Sequence, residues 1–256
     1  MVGHTSLPSE SDLVPYVAGF PPGRRWLVLA PHADDEALGI GATLALAAAR
    51  GVEVEVVVVT DGGRQGDPAE REAEAIAAAG VLGIMEPTFW RLPDRSLAGA
   101  LPALRGAIAG ALEASAPDAV LVTSPVDLHP DHRAVAIATQ RALRRRLLLG
   151  LRARPPQWVV AYEVGSLLQP NLLVAADEGW ERKRRAVACY RSQLAAAPYE
   201  RVMEGLAAVR CLTLVGCTRA EAFHVLPART VARSSARGWA AQMGSPLGVS
   251  PRRRRG

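Results

Sequence analysis

The sequence predicts a single-domain α/β protein, Rossmann-like, with a mostly parallel sheet and helices on both faces. Three observations predict it. Short apolar runs rich in β-branched residues alternate with Ala/Leu-rich stretches of helical length. The first of these segments make strand, helix and strand within about 35 residues, the size of a βαβ unit. The 256 residues are 49% hydrophobic and 21% charged, the composition of a soluble globular chain of one large domain or two small ones. No internal repeat or long linker divides the sequence, which favours one.

The elements follow in order. Residues 1–24 are a polar, Pro-containing lead-in. Trp26 to Ala30 is a short apolar run ending at Pro31-His32, as a buried strand would. Glu36 to Arg50 is of helical length, with Gly51 at the expected C-terminal stop, and Val52 to Thr60 is a β-branched strand. Asp61 to Gly66 then breaks the chain into a loop. The alternation repeats: helix Pro68 to Ala79, strand Thr88 to Trp90, helix Leu97 to Ala114, strand Ala119 to Thr123, helix Asp131 to Leu149. Beyond it come strands at Trp158 to Glu163 and Asn171 to Ala175, and an Arg-rich helix from Asp177 to Tyr190. The domain is expected to span 25–233, and residues 234–256, dominated by Ser, Gly, Pro and Arg, to form a flexible Arg-rich tail. In an open parallel sheet ligands lie beyond the carboxyl ends of the strands.

Charge narrows the classes of function. Thirty Lys+Arg face 25 Asp+Glu, a net +5, with Lys183 the sole lysine. Four of those cations lie in the last six residues, and the remaining 26 against 25 leave the body at +1. Aromatics make up 5%, too few for a base-stacking platform, so no nucleic-acid partner is expected. Three cysteines without a Cys-x-x-Cys pair suggest neither a disulfide framework nor a thiolate zinc site. No apolar run approaches the ~20 residues of a membrane span, and the acidic start does not read as a secretory signal. Cytoplasmic residence is expected, and a homo-oligomer is left open.

Two clusters carry the chemistry. His32-Ala33-Asp34-Asp35-Glu36 follows the first strand, and Asp127-Leu128-His129-Pro130-Asp131-His132 follows the strand ending at Thr123. A helix-capping carboxylate would account for one acid of the first cluster but not for a histidine with three acids. Chance would produce roughly 0.004 His-x-Asp-His matches in a chain of this composition. Imidazole and carboxylate together suit Zn²⁺ or another divalent ion such as Fe²⁺; a catalytic zinc takes three protein ligands and leaves a position open. A further acid and histidine are then free for proton transfer. His224 lies in a strand-like pattern and is left outside this set.

At these residues the sequence resembles the LmbE/PIG-L family, zinc-dependent N-acetylglucosaminyl deacetylases. His32 to Glu36 matches the family's His-Pro-Asp-Asp-Glu motif with Ala33 in place of proline, and His129 to His132 matches its His-Pro-Asp-His motif in full. Weaker similarities include Thr60-Asp61-Gly62, Leu92-Pro93-Asp94, Tyr190-Arg191-Ser192-Gln193 and Ala220-Glu221-Ala222-Phe223. Carried over by position, the resemblance implies His32, Asp35 and His132 as metal ligands and Asp34 as the base acting on metal-bound water. It implies His129 as the group that stabilises the oxyanion or protonates the leaving amine, with Asp131 tuning it, and Arg71 and Asp94 as substrate-binding residues. The implied activity is removal of acetyl from an N-acetylglucosamine-type amino sugar on a conjugate whose aglycone stays open.

Three other readings compete. Gly39-Ile40-Gly41-Ala42-Thr43-Leu44 approaches a dinucleotide fingerprint but ends in Leu, and its glycines fall inside the expected helix. Arg144-Arg145-Arg146 and Arg182 to Arg185 would serve RNA or membrane binding, yet a charge run on a helix is usually a solvated face. Another metal-dependent amide or ester hydrolase, or a phosphoesterase, would use the same clusters.

Overall fold

The computed structural model describes residues 17–150 and 154–244. One eight-stranded sheet runs through them in the order β1-β7-β8-β6-β5-β2-β3-β4. The strands are β1 (Val17–Ala18), β2 (Arg25–Ala30), β3 (Glu53–Thr60), β4 (Thr88–Leu92), β5 (Ala119–Thr123), β6 (Trp158–Tyr162), β7 (Leu172–Ala175) and β8 (Ala220–Pro227). Every pairing is parallel except those of β8, which runs antiparallel between β6 and β7. The expected α/β class with a mostly parallel sheet is what the chain adopts.

Helices cover both faces because the central strands are apolar on both. Trp26, Val28 and Ala30 of β2 enter one core, and Leu27 and Leu29 enter the other. On the first face lie α1 (Asp35–Ala49), α2 (Pro68–Leu82), α5 (Asp177–Val187), the short α6 (Arg191–Leu194) and α7 (Tyr199–Arg210). On the second lie α3 (Leu101–Ser115), α4 (Pro130–Leu149), α8 (Ala228–Arg233) and α9 (Ala236–Met243). None of these helices is long and apolar enough to cross a membrane.

Two expected boundaries move. Val17–Ala18, inside the expected lead-in of residues 1–24, pairs with β7 and belongs to the sheet. The tail was drawn from 234, but Ser235 caps α9 by accepting from the Gly238 N–H, and Trp239 and Met243 are buried in the second core. Two apolar residues among many Ser, Gly and Arg carry too weak a period to announce a helix; their burial shows only in the fold. Residues 245–256 lie outside the described residues.

Helix α1 is the element that most shapes the site, and it is kinked. Ile40 leaves helical geometry (φ −135°, ψ 20°), which frees backbone groups that must find partners elsewhere. Glu221 of β8 supplies them: its carboxylate accepts the Ala42 N–H at 3.0 Å and the Thr43 N–H at 2.7 Å. Lys183 of α5 donates to Glu221 at 2.6 Å and to the Gly39 carbonyl at 3.4 Å. The family-like Ala-Glu-Ala-Phe segment and the sole lysine therefore serve one buried clamp. Gly39 passes the sheet so closely that a Cβ there would lie 2.5 Å from the Glu163 carbonyl oxygen. Close packing explains the glycine, and the dinucleotide fingerprint loses its best residue.

Candidate metal centre

Chain direction decides where the two motifs meet. After β2 the chain crosses through α1 to β3 on one side, while β5 lies against β2 on the other. The loops leaving β2 and β5 diverge there and open a crevice at the carboxyl ends of the strands. Residues 31–34 and 124–129 are those loops, and the first turns of α1 and α4 follow them directly.

Asp34 occupies the N-terminal position of α1 with φ 133° and ψ −27°, a backbone region that side-chain-bearing residues rarely adopt. Its carboxylate makes no capping hydrogen bond, so Asp34 is not the acid that caps the helix. Instead Asp34 lines a cavity of about 400 Å³, a size usual for small-molecule sites. His32, Asp35, Arg71, Asp94, His129 and His132 line it too. Seven of the eight expected residues thus share one cavity, and Asp131 stands behind it, fully buried. His224 is not among the lining residues; its Nδ1 lies 2.8 Å from the Gln169 carbonyl. A larger hollow of about 530 Å³, between the end of α4 and the start of α8, is lined by no histidine or carboxylate.

The expected ligand set meets at one oxygen. Asp35 Oδ2 lies 3.1 Å from His32 Nδ1 and 3.2 Å from His132 Nε2. A tetrahedral ion with N and O ligands at about 2.0–2.2 Å separates its donor atoms by roughly 3.3 Å. Among the described residues, the sets of three donor atoms that lie mutually within 4.8 Å are those of His32, His129 and His132 and of His32, Asp94 and Asp131; the expected set of His32, Asp35 and His132 is not one of them. The geometry therefore brings His129, which the expectation kept out of the ligand set, within reach of the same place. His32 Nε2 and Asp94 Oδ1 are buried and in no aligned hydrogen bond. The donor set that meets at Asp35, two imidazole nitrogens and a carboxylate oxygen, fits a borderline divalent ion such as zinc.

Electrostatics agree with a site built for positive charge. Burial pushes Asp34 up to about 8, helped by repulsion from Asp35 and opposed by Arg71 and His32. Burial works against His132 as well, but Asp35 and Asp127 outweigh it and lift the imidazole to about 9. His129 is held below its usual value by burial and by the neighbouring His32 and His132. Glu36 does not enter the cavity; burial raises it to about 7, and the Tyr190 hydroxyl donates to it.

Several expected roles shift on contact with the geometry. Arg71 lies 3.6 Å from Asp34 Oδ2, but its guanidinium also donates to the Ala33 carbonyl at 2.8 Å and the Gly62 carbonyl at 3.3 Å. It ties the β2–α1 turn to the loop after β3. Gly62 is required there, since its φ is +64° and a Cβ would come within 2.5 Å of Arg71. Asp131 acts on His129 through its charge, which raises the imidazole, while both Asp131 oxygens accept backbone N–H groups, of Arg95 at 2.7 Å and Leu97 at 3.2 Å. His129 Nδ1 accepts only the backbone N–H of Asp131, at 3.2 Å, which caps α4.

Two functional neighbours escaped the sequence reading. Asp127 Oδ1 lies 3.2 Å from His132 Nδ1 and also accepts the His129 N–H at 2.8 Å. It stood inside the quoted motif, and its spacing from His132 was the available signal. Tyr199 lines the cavity from α7, 67 positions beyond His132, and no local pattern marks it. Ser192, in the Tyr-Arg-Ser-Gln segment, donates to Glu74 from its N–H at 2.8 Å and its hydroxyl at 2.6 Å, fastening α6 to α2.

The fold and the site define an α/β protein with a histidine–carboxylate centre at the switch point of a mostly parallel sheet. The family model described as GlcNAc-PI de-N-acetylase, PIG-L, matches residues 27–143. The conserved protein TT1542 from Thermus thermophilus is 31% identical, with 78% of this chain and 93% of that one covered and a TM-score of 0.68. The N,N'-diacetylchitobiose deacetylase from Pyrococcus horikoshii is 23% identical over 81% of this chain and 85% of its own, with a TM-score of 0.70. GalB, the 4-carboxy-2-hydroxymuconate hydratase from Pseudomonas putida, is 20% identical over 79% and 96%, with a TM-score of 0.61. The chain belongs to the PIG-L family.

Proposed function

We propose that the protein is a zinc-dependent N-deacetylase that removes acetyl from an N-acetylglucosamine-type amino sugar carried on a conjugate. The observation that carries this reading is the convergence of His32 Nδ1 and His132 Nε2 on Asp35 Oδ2 beside a cavity that Asp34 lines. The family description and the deacetylase named among the structural neighbours support it. The hydratase on the same fold means that architecture alone does not choose the reaction.

His32, Asp35 and His132 would hold the metal. A divalent ion there supplies a Lewis acid for the amide carbonyl and lowers the pKa of water. Asp34, which lines the cavity beside them, would take the proton of the attacking water. Asp127, beside His132 Nδ1, holds that ring in place. His129 keeps Nδ1 occupied by the backbone of α4, which leaves its other nitrogen for the oxyanion or the leaving amine.

The test is release of acetate and free amine from a panel of N-acetylated glycosides by protein loaded with one equivalent of Zn²⁺. Asp34→Asn is expected to lower turnover by about 10²–10⁴-fold. Acetate release that survived Asp34→Ala or His132→Ala would overturn the reading. Activity confined to O-acetylated sugars would replace it with an esterase.

A further inference from the structure

His32 is flanked on both edges of its ring, and the second edge has no part in the function proposed above. Its Nδ1 faces Asp35, the oxygen shared with His132. Its Nε2 faces Asp94 Oδ1 at 3.2 Å and Asp131 Oδ2 at 3.5 Å. Both acids are buried and held from behind by backbone: Asp94 Oδ2 accepts the Arg64 N–H at 3.3 Å, and Asp131 accepts from Arg95 and Leu97. Asp94 Oδ1 is itself sealed from solvent.

We propose that Asp94 and Asp131 are positioning residues for His32, receiving its Nε2 edge so that Nδ1 is the edge turned to the metal. The proposal rests on the reading of His32 as a metal ligand. A neutral imidazole offers one lone pair, and the partner of the other nitrogen decides which. Two anionic oxygens straddling Nε2 favour the hydrogen there and disfavour a lone pair. Outer carboxylates of this kind orient ligand histidines, and their loss commonly costs 10–100-fold in metal affinity. The substrate-binding role that the resemblance implies for Asp94 is replaced by this one, which Asp131 shares.

Asp131 also holds the backbone of residues 95–97, so Asp94 carries the test. Metal content is measured by elemental analysis, Zn²⁺ affinity by competition with a chromophoric chelator, and KM and kcat on the zinc-saturated protein with an N-acetylated amino sugar. Asp94→Ala is expected to weaken Zn²⁺ binding by about 10–100-fold while KM stays within about twofold. Asp94→Asn, which keeps an acceptor oxygen, should restore most of the affinity. Unchanged Zn²⁺ affinity with a raised KM would overturn the proposal and return Asp94 to the substrate. Two metals per chain, falling to one in Asp94→Ala, would also overturn it, because His32, Asp94 and Asp131 would then be ligands to a second ion. Failure of the underlying reading would look different: His32→Ala would keep its zinc.

Discussion

Asp34 holds its carboxylate at the cavity by way of a backbone conformation that costs about 1–3 kcal/mol at a residue with a side chain. The cost adds to that of burying a carboxylate beside Asp35. Glycine would relieve both. Asp34→Gly is therefore expected to unfold at a temperature several degrees higher, at about 2–4 °C per kcal/mol for a chain of this size, while losing deacetylation. Scanning calorimetry and the acetate assay on one preparation test the pair of outcomes; a less stable protein would contradict the strain argument. The identity of Asp34 could be read from its motif. Its strain could not, because φ follows from how the turn is held by Arg71 and the sheet.

At the level of elements, the kink in α1 depends on residues more than 140 positions away. Lys183→Met removes the cation from a carboxylate that stays buried against the Ala42 and Thr43 N–H groups. Breaking one partner of a buried pair costs about 3–5 kcal/mol, and urea denaturation should show that loss. Gly39→Ala should be disruptive too, since the new methyl meets the carbonyl of Glu163, whose side chain and Arg210 anchor the loop carrying Val164 and Gly165 to the cavity. Helix α9 supplies a third expectation. Trp239 is 1% exposed, so Trp239→Ala should cost about 3–5 kcal/mol, whereas a surface position in a loose tail would cost almost nothing. Most strands and the longer helices were legible, because repeated apolar periods mark them. Helix α7, the short helices α6, α8 and α9 and the two-residue β1 were not; the short segments show little of a full period and are stabilised by what they pack against.

For the whole molecule, the +5 charge is a weak guide to function. Its excess sits almost wholly in Arg252 to Arg255, and the body carries +1. Removing residues 251–256 is expected to leave acetate release unchanged and to abolish most salt-dependent retention on RNA. Retention that survived the truncation would point to the arginines of α4 and α5 instead. Membership of the PIG-L family was legible from two motifs some 100 residues apart. The proposed ligands lie in those motifs, since side-chain chemistry is local. Which carboxylate serves which imidazole does not follow, because Asp94, Asp127 and Asp131 are equivalent as letters. Their partners are set by the order β5-β2-β3, which folds the loops after β2, β4 and β5 onto one another. Residue types and strand periods thus determined the class of fold and the class of chemistry. Tertiary packing alone decided the strain at Asp34, the clamp on α1 and the backing of His32, since each joins groups that are remote along the chain.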